Sequence, residues 1–354
     1  MDAEEIKYRQ LSASFLIKKG SLRDVTRSLC GIQAQFFSHA LHALRIRCHD
    51  FSEDAVTASL MKSWTLRGTM HLFDKEDLPL FFPCEQGKNR HENEWTKQNF
   101  WNSRPGWALT PERQAFFCDV ILDALAKKER TREELKAVCR EKGMTEGEEH
   151  SFFDPWGGGI RLMCEKGFLH YRAQEEKIFA LTMAFSPLKP EEAALQLTER
   201  YFAHYGPATL HDAMYFFHGT AGKMKQQMEK LPLAKTEWMG KTYFYLEDGN
   251  EISGEMPPCL FLSGFDPLMM GHEKKESLFL PAEHMRKVFN LAGIVMPTVL
   301  LHGQIAGVWK RKGTKMTVTP FAPLSPNDKS LTEETALSLF PDLQSLSLIH
   351  ISEP

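Results

Sequence analysis

Two glutamines separated by one alanine, Gln33 and Gln35 in the run CGIQAQF (residues 30–36), follow a glycine at a point where one helical pattern gives way to the next. A primary amide carries both donor and acceptor and has no useful pKa, so it cannot act as a strong acid or base. It can hold a water molecule in a fixed direction of attack. Residues two apart on a regular helix diverge by about 200°, so two amides acting together need irregular backbone, which Gly31 and the change of pattern permit. A polar helix N-terminus would carry the same residues, and spacing alone does not separate the two readings.

A second polar set lies in SWTLRGTMHLF (residues 63–73). Read as one strand, it sends Thr65, Arg67, Thr69 and His71 to one face and Leu66, Met70 and Leu72 to the other. That face could line a site or be the wet side of an ordinary wing strand. The run GTAGK (residues 219–223) has a phosphate-loop outline, but Met224 stands where Ser or Thr would bind magnesium, and a helix pattern precedes it. His39 and His42 are three apart on a helix with no obvious third metal ligand, and read as core or surface histidines. Gly157, Gly158 and Gly159 fit an anion-binding nest or a plain turn before a helix. Trp309-Lys310-Arg311-Lys312, with Lys315 beyond, is a basic run without an interposed acid; it fits phosphate contact or a solvated strand end.

These residues need elements to position them, and the chain repeats one plan. From Thr110, PERQAFFCDVILDALAKKE reads as a helix, TREELKAVC as a second opened by a Thr131–Glu134 capping box, and GGIRLMCEKG as a third. FLHYRA and KIFALT then read as two strands, giving the winged-helix order of three helices and a hairpin. EEAALQLTERYFAHYG, LHDAMYFFHG and TAGKMKQQMEKL repeat the helices, and LAKTEWMGKTYFYL repeats the hairpin around Gly240. A looser copy opens the chain, with helices over 3–18, 21–29 and 35–47, another in EDAVTASLMK, and SWTLRGTMHLF as its closing strand. Arg161, Lys223 and Lys225 fall on the third helices of the later copies.

After Asp248 come short β-rich runs, CLFLSG, SLFLPA, VMPTVLL, IAGVWKRK and KMTVTPF, punctuated by Pro and Gly; they predict a small sheet or barrel. His302-Gly303 predicts a two-residue hairpin turn. The expected class is therefore α+β: three tandem winged-helix units over 1–105, 106–185 and 186–248, a β-barrel-like domain over 249–324, and a tail over 325–354. The closing SLIHISEP carries no cap or turn logic and is given no functional weight.

Composition narrows the function classes. The 354 residues are 42% hydrophobic and 25% charged, with a formal net charge of -3, so any nucleic-acid contact must come from local clusters of charge. No secretory leader pattern and no apolar run of membrane-spanning length is present, and a cytoplasmic location is expected. Seven cysteines with no C-x-x-C pair argue against a disulfide frame or a sulfur-rich metal site.

Taken in order, GIQAQ, WTLRGTMHLF, GPATLHDAMYFF, SGFDPLMMG, MRKVFN with LAGIVMPTVL, and HGQIAGVWKRKG resemble the winged-helix DNA glycosylases of AlkZ and YcaQ type, over about residues 10 to 323. The resemblance implies three tandem winged helices and a β-barrel in a C-shaped, DNA-embracing, monomeric bacterial enzyme. It implies hydrolysis of the N-glycosidic bond of cationic N7- or N3-alkylated purines, including bulky adducts and crosslinks, with no metal or other cofactor. The partner would be alkylated double-stranded DNA, with no membrane and no obligate protein partner. The family's catalytic Gln-apolar-Gln pattern is matched by Gln33-Ala34-Gln35, with a smaller middle residue than usual, and its Thr-apolar-His element by Thr69-Met70-His71. DNA contact would fall to Arg67, Arg161, Lys223, Lys225, Lys310, Arg311 and Lys312. The alternatives are a non-catalytic winged-helix DNA-binding protein, such as a regulator, and a protein-binding scaffold.

Overall fold

The computed structural model describes residues 1–84, 104–154, 157–247 and 254–349. In chain order the elements are α1 (Ala3–Ala13), α2 (Leu22–Ser28), β1 (Ile32–Gln33), α3 (Phe37–Arg45), α4 (Glu53–Ser59), β2 (Leu60–Trp64), β3 (Met70–Asp74) and α5 (Leu78–Phe81). Next come α6 (Pro111–Lys127), β4 (Arg130–Thr131), α7 (Arg132–Glu141), α8 (Glu146–Phe152), α9 (Gly158–Glu165), β5 (Leu169–Arg172), β6 (Ile178–Leu181) and α10 (Pro190–His204). The last are α11 (Leu210–Phe217), α12 (Ala221–Met228), β7 (Leu233–Trp238), β8 (Lys241–Leu246), β9 (Cys259–Leu262), α13 (Pro267–Met270), α14 (Met285–Val288), β10 (Thr298–Leu301), β11 (Gln304–Lys312), β12 (Lys315–Pro320), α15 (Pro326–Leu339) and β13 (Ser345–Leu348). The chain divides into two compact units, one made of residues 1–52 with 198–354 and the other of residues 53–197. The fold is mixed α+β.

The 53–197 unit follows the expected helices and hairpin with two differences. The Thr131–Glu134 capping box opens α7 as anticipated: the Thr131 side chain accepts from the Glu134 N–H, and Glu134 accepts from the Thr131 N–H. A second box, Thr145–Glu148, opens α8, a helix absent from the sequence reading although its signal was the same. The other difference is in SWTLRGTMHLF, which is not one strand. β2 and β3 pair antiparallel with Trp64 opposite Met70 and Ser63 opposite His71, so residues 65–69 form the turn of a hairpin. Arg67 (φ 58°) and Gly68 (φ 61°) both adopt left-handed backbone, and this reversal overrode the strand alternation. The unit's core joins Trp64 to Phe117, Ile121, Leu135, Phe152, Met163 and Phe179. Gly158 and Gly159 serve packing at the start of α9. A Cβ on Gly158 would meet the Phe152 carbonyl at 2.5 Å, and one on Gly159 would meet the Phe152 ring at 2.4 Å.

From α10 onward the predicted order of α10, α11, α12 and the β7–β8 hairpin is reproduced, with Met239 and Gly240 at the turn, and all of it from residue 198 lies in the unit formed by 1–52 and 198–354. GTAGK is a link into α12, whose Thr220 N-cap accepts from the Lys223 N–H. The β-rich end is an open five-stranded sheet, β13-β12-β11-β10-β9, and not a closed barrel. Closure needs the two edge strands to pair. Here the chain leaves β12 through α15 and returns as β13, parallel to β12 and at the opposite edge from β9. Residues 325–349, expected as a tail, thus complete this sheet, and α15 with the Phe340 that follows it packs on it, through Ala336 and Phe340; the last five residues of SLIHISEP lie outside the described residues. SLFLPA forms no strand. His302 (φ 48°) and Gly303 (φ 74°) make the two-residue turn between β10 and β11 as predicted. None of the seven cysteines forms a disulfide, and six of them are buried.

Candidate active site

Gln33 and Gln35 lie between α2 and α3. At the end of α2 the Gly31 N–H donates to the Thr26 carbonyl at 2.8 Å and the Cys30 N–H to the Arg27 carbonyl at 3.2 Å, a Schellman closure. Cys30 (φ 56°) and Gly31 (φ 82°) then turn the chain out of the helix axis into extended Ile32–Gln33. α3 starts only after Phe36, an N-cap with extended backbone (φ −117°, ψ 117°) and no side-chain cap. The irregular backbone that two cooperating amides need is therefore present. Gln33 is 7% exposed and Ala34 3%, while Gln35 is exposed. The small middle residue is itself buried, so its size is a packing matter.

The residue after the pair, Phe36, belongs to a cluster of three rings. Phe36 is 44% exposed, and its ring lies 5.9 Å from Phe265 and 5.4 Å from His39. Burial holds His39 below the usual histidine pKa, and its Nδ1 is buried with no hydrogen-bond partner among the described residues. Of the two readings of His42, core or surface, the structure gives the core one. Its Nε2 lies 2.7 Å from the Phe261 carbonyl and its ring stacks on Phe340, with its pKa lowered by burial to about 4.

Thr69 and His71 belong to the 53–197 unit. His71 is 2% exposed. Its Nδ1 lies 3.0 Å from Thr65 Oγ1 and 3.1 Å from the Thr69 carbonyl, and its Nε2 3.3 Å from Arg67 Nη2. A guanidinium only donates, so Nε2 must accept and Nδ1 must carry the proton, which it gives to Thr69 or Thr65. Burial, and then the nearby Arg67 charge, push the His71 pKa down to about 3. The ring is neutral at neutral pH. Thr65 and Arg67 do meet His71, but through the hairpin turn and not through strand alternation. Thr69 Oγ1 closes the turn by donating to the Leu66 carbonyl at 3.1 Å.

The expected cationic residues separate by environment. Arg161 on α9 donates to the Gly68 carbonyl at 3.3 Å, pairs with Glu165 at 2.7 Å and lies 4.0 Å over the Trp64 ring, so it braces the turn that holds His71. Sequence reasoning had no signal for that contact, which joins residues 93 apart. Arg311 pairs with Asp342 and lies over the Phe340 ring. Lys223 and Lys225 on α12, and Lys310 and Lys312 on β11, are exposed. His211, Glu273 and Glu276 offer ligand atoms within 4.8 Å of one another, the one such trio among the described residues. Lys241 Nζ, 2.5 Å from Glu276, already supplies positive charge there.

A family model described as "DNA glycosylase AlkZ-like" matches residues 26–339. The chain belongs to the AlkZ-like DNA glycosylase family. As a member it is a DNA glycosylase, an enzyme that hydrolyses N-glycosidic bonds, which sets aside the non-catalytic readings. An AlkZ-like relative from Streptomyces sahachiroi, an interstrand DNA cross-link repair glycosylase, is 28% identical over 324 residues and covers 85% of each chain. The solved structure of S. sahachiroi DNA glycosylase AlkZ matches with a TM-score of 0.78 at 22% identity, over 99% of this chain and 100% of that one, a likeness of fold. No helix among the described residues is long and apolar enough to cross a membrane.

Proposed function

We propose that this enzyme excises cationic N7- and N3-alkylated purines from double-stranded DNA, and that its substrates include bulky adducts and interstrand crosslinks, as the name of its Streptomyces relative suggests. An alkylated purine already carries the positive charge that makes it a good leaving group, so protonation of the base is unnecessary and a well-held water is the main requirement. Gln33 and Gln35 orient that water. Orientation of a reactant supplies several kcal/mol of rate enhancement without a titrating base, and the amide carbonyl dipoles stabilise the developing oxocarbenium. Thr69 and His71 assist as neutral hydrogen-bonding groups. Winged-helix units present Lys223 and Lys225, and β11 presents Lys310 and Lys312, to phosphates; Arg67, Arg161 and Arg311 contribute charge from partly occupied positions. The observation that carries this reading is the Gln-Ala-Gln pair on extended backbone between two helices of an AlkZ-like chain.

The test is release of N7-methylguanine from an alkylated duplex by wild type and by Gln33→Ala/Gln35→Ala. Release by the wild type and a drop of at least about a hundredfold in the variant, with duplex binding retained, is expected. Equal release by both proteins would remove the glutamines from the chemistry.

A further inference from the structure

We infer that Phe36 is a stacking platform that recognises the positive charge of the damaged base, a specificity-determining role that rests on the alkylpurine reading. The position is anomalous for structure alone. Phe36 is the N-cap of α3, where Ser, Thr, Asp or Asn would satisfy a free N–H, and it makes no cap hydrogen bond. It is also a large apolar residue left 44% exposed, directly after Gln35. A residue that neither caps its helix nor buries its ring breaks two local rules at once, and such breaks collect at functional positions.

The ring is held for contact. Phe265, 6% exposed, backs it at 5.9 Å with the planes 24° apart, and His39 flanks it at 5.4 Å. Gly264 permits that approach, because a Cβ there would meet His39 Nδ1 at 2.4 Å. Burial lowers the His39 pKa, which disfavours a positive charge on the ring that flanks the platform. An aromatic face attracts a cation through its quadrupole and stacks on a base of any sequence. A purine cationic from N7 or N3 alkylation has both properties, whereas an undamaged purine offers only stacking.

The experiment measures binding and does not depend on turnover. The probe is a duplex containing one 2′-fluorinated N7-methylguanosine, whose glycosidic bond resists hydrolysis; the comparison is the same duplex without the methyl group. Phe36 is replaced by mono-, di- and trifluorophenylalanine, which drain the ring face of negative charge at nearly constant size, and by Leu and Trp. The wild-type preference for the cationic duplex is expected to fall stepwise with each fluorine, to fall about tenfold in Phe36→Leu and to persist in Phe36→Trp. Affinity for the unmethylated duplex and the melting temperature should stay close to wild type across the fluorinated series. A flat series, a wild type without preference, or parallel loss of both affinities would overturn the inference. Base release by the wild type judges the alkylpurine reading separately.

Discussion

A titratable catalyst leaves a pH signature, and neither residue type assigned to the chemistry here should leave one. The amides of Gln33 and Gln35 do not titrate. His71 sits far below the usual 6.5 because burial and Arg67 disfavour its charged form; it therefore stays neutral as pH falls, until the pH approaches that lowered value. Single-turnover base release should be flat between about pH 5 and pH 8. Arg67→Asn keeps a residue that tolerates the left-handed backbone but removes the neighbouring charge, so the His71 pKa should rise, while burial, the larger cause, still holds it below the usual value. Titration of the His71 ring by NMR in both proteins checks the shift directly. An acid limb already present in the wild type would contradict the neutral-histidine assignment. The glutamine pair was legible in the sequence as an amide motif at a helix junction. The proton on Nδ1 was not, because it depends on the Arg67 contact made across the turn.

Elements explain why the motifs are placed where they are. The junction before Gln33 is built by a helix-end closure, in which Gly31 follows the left-handed Cys30 with φ 82° of its own. Gly31→Ala forces a Cβ into that conformation and should destabilise the protein by about 1 kcal/mol, seen as a lower urea midpoint. On the proposed reading, in which this backbone sets the direction of Gln33 and Gln35, base release by the folded variant should also fall; a variant as active as wild type would show that the junction tolerates other geometries. Element types came through well from sequence where a cap or a glycine turn marked them, as at Thr131–Glu134, Met239–Gly240 and His302–Gly303. They failed where a tight reversal interrupted an alternating run: Thr65 to Thr69 reads as strand by period two, yet Arg67 and Gly68 reverse the chain. Left-handed backbone at an arginine has no signature in residue type.

At the scale of the molecule, the buried polar contacts carry what no local pattern announces. Arg47 and Asp266 are both fully buried, 219 residues apart, and meet as a two-pronged ion pair at 2.6 and 3.1 Å. Arg47 also donates to the carbonyls of Ser14 and Ala43, while Asp266 accepts from Ser263 and the Leu268 N–H, so every charge has a partner. Asp266→Ala leaves the guanidinium buried and unpaired and should cost about 3–5 kcal/mol, read as the shift in urea unfolding midpoint. Only a loss below about 1 kcal/mol would show that the pair does not tie the end of α3 to the start of α13. The amino-acid sequence by itself determined the glutamine motif, the α+β class, most helices and hairpins and the lack of a sulfur frame, because these follow from side-chain chemistry and short-range periodicity. Tertiary structure alone decided that the final sheet stays open, that α15 and β13 complete it, that Arg161 braces the His71 turn and that Arg47 finds Asp266. Each of those depends on contacts between segments far apart in the chain, whose pairing is chosen by burial and charge compensation and not by local pattern.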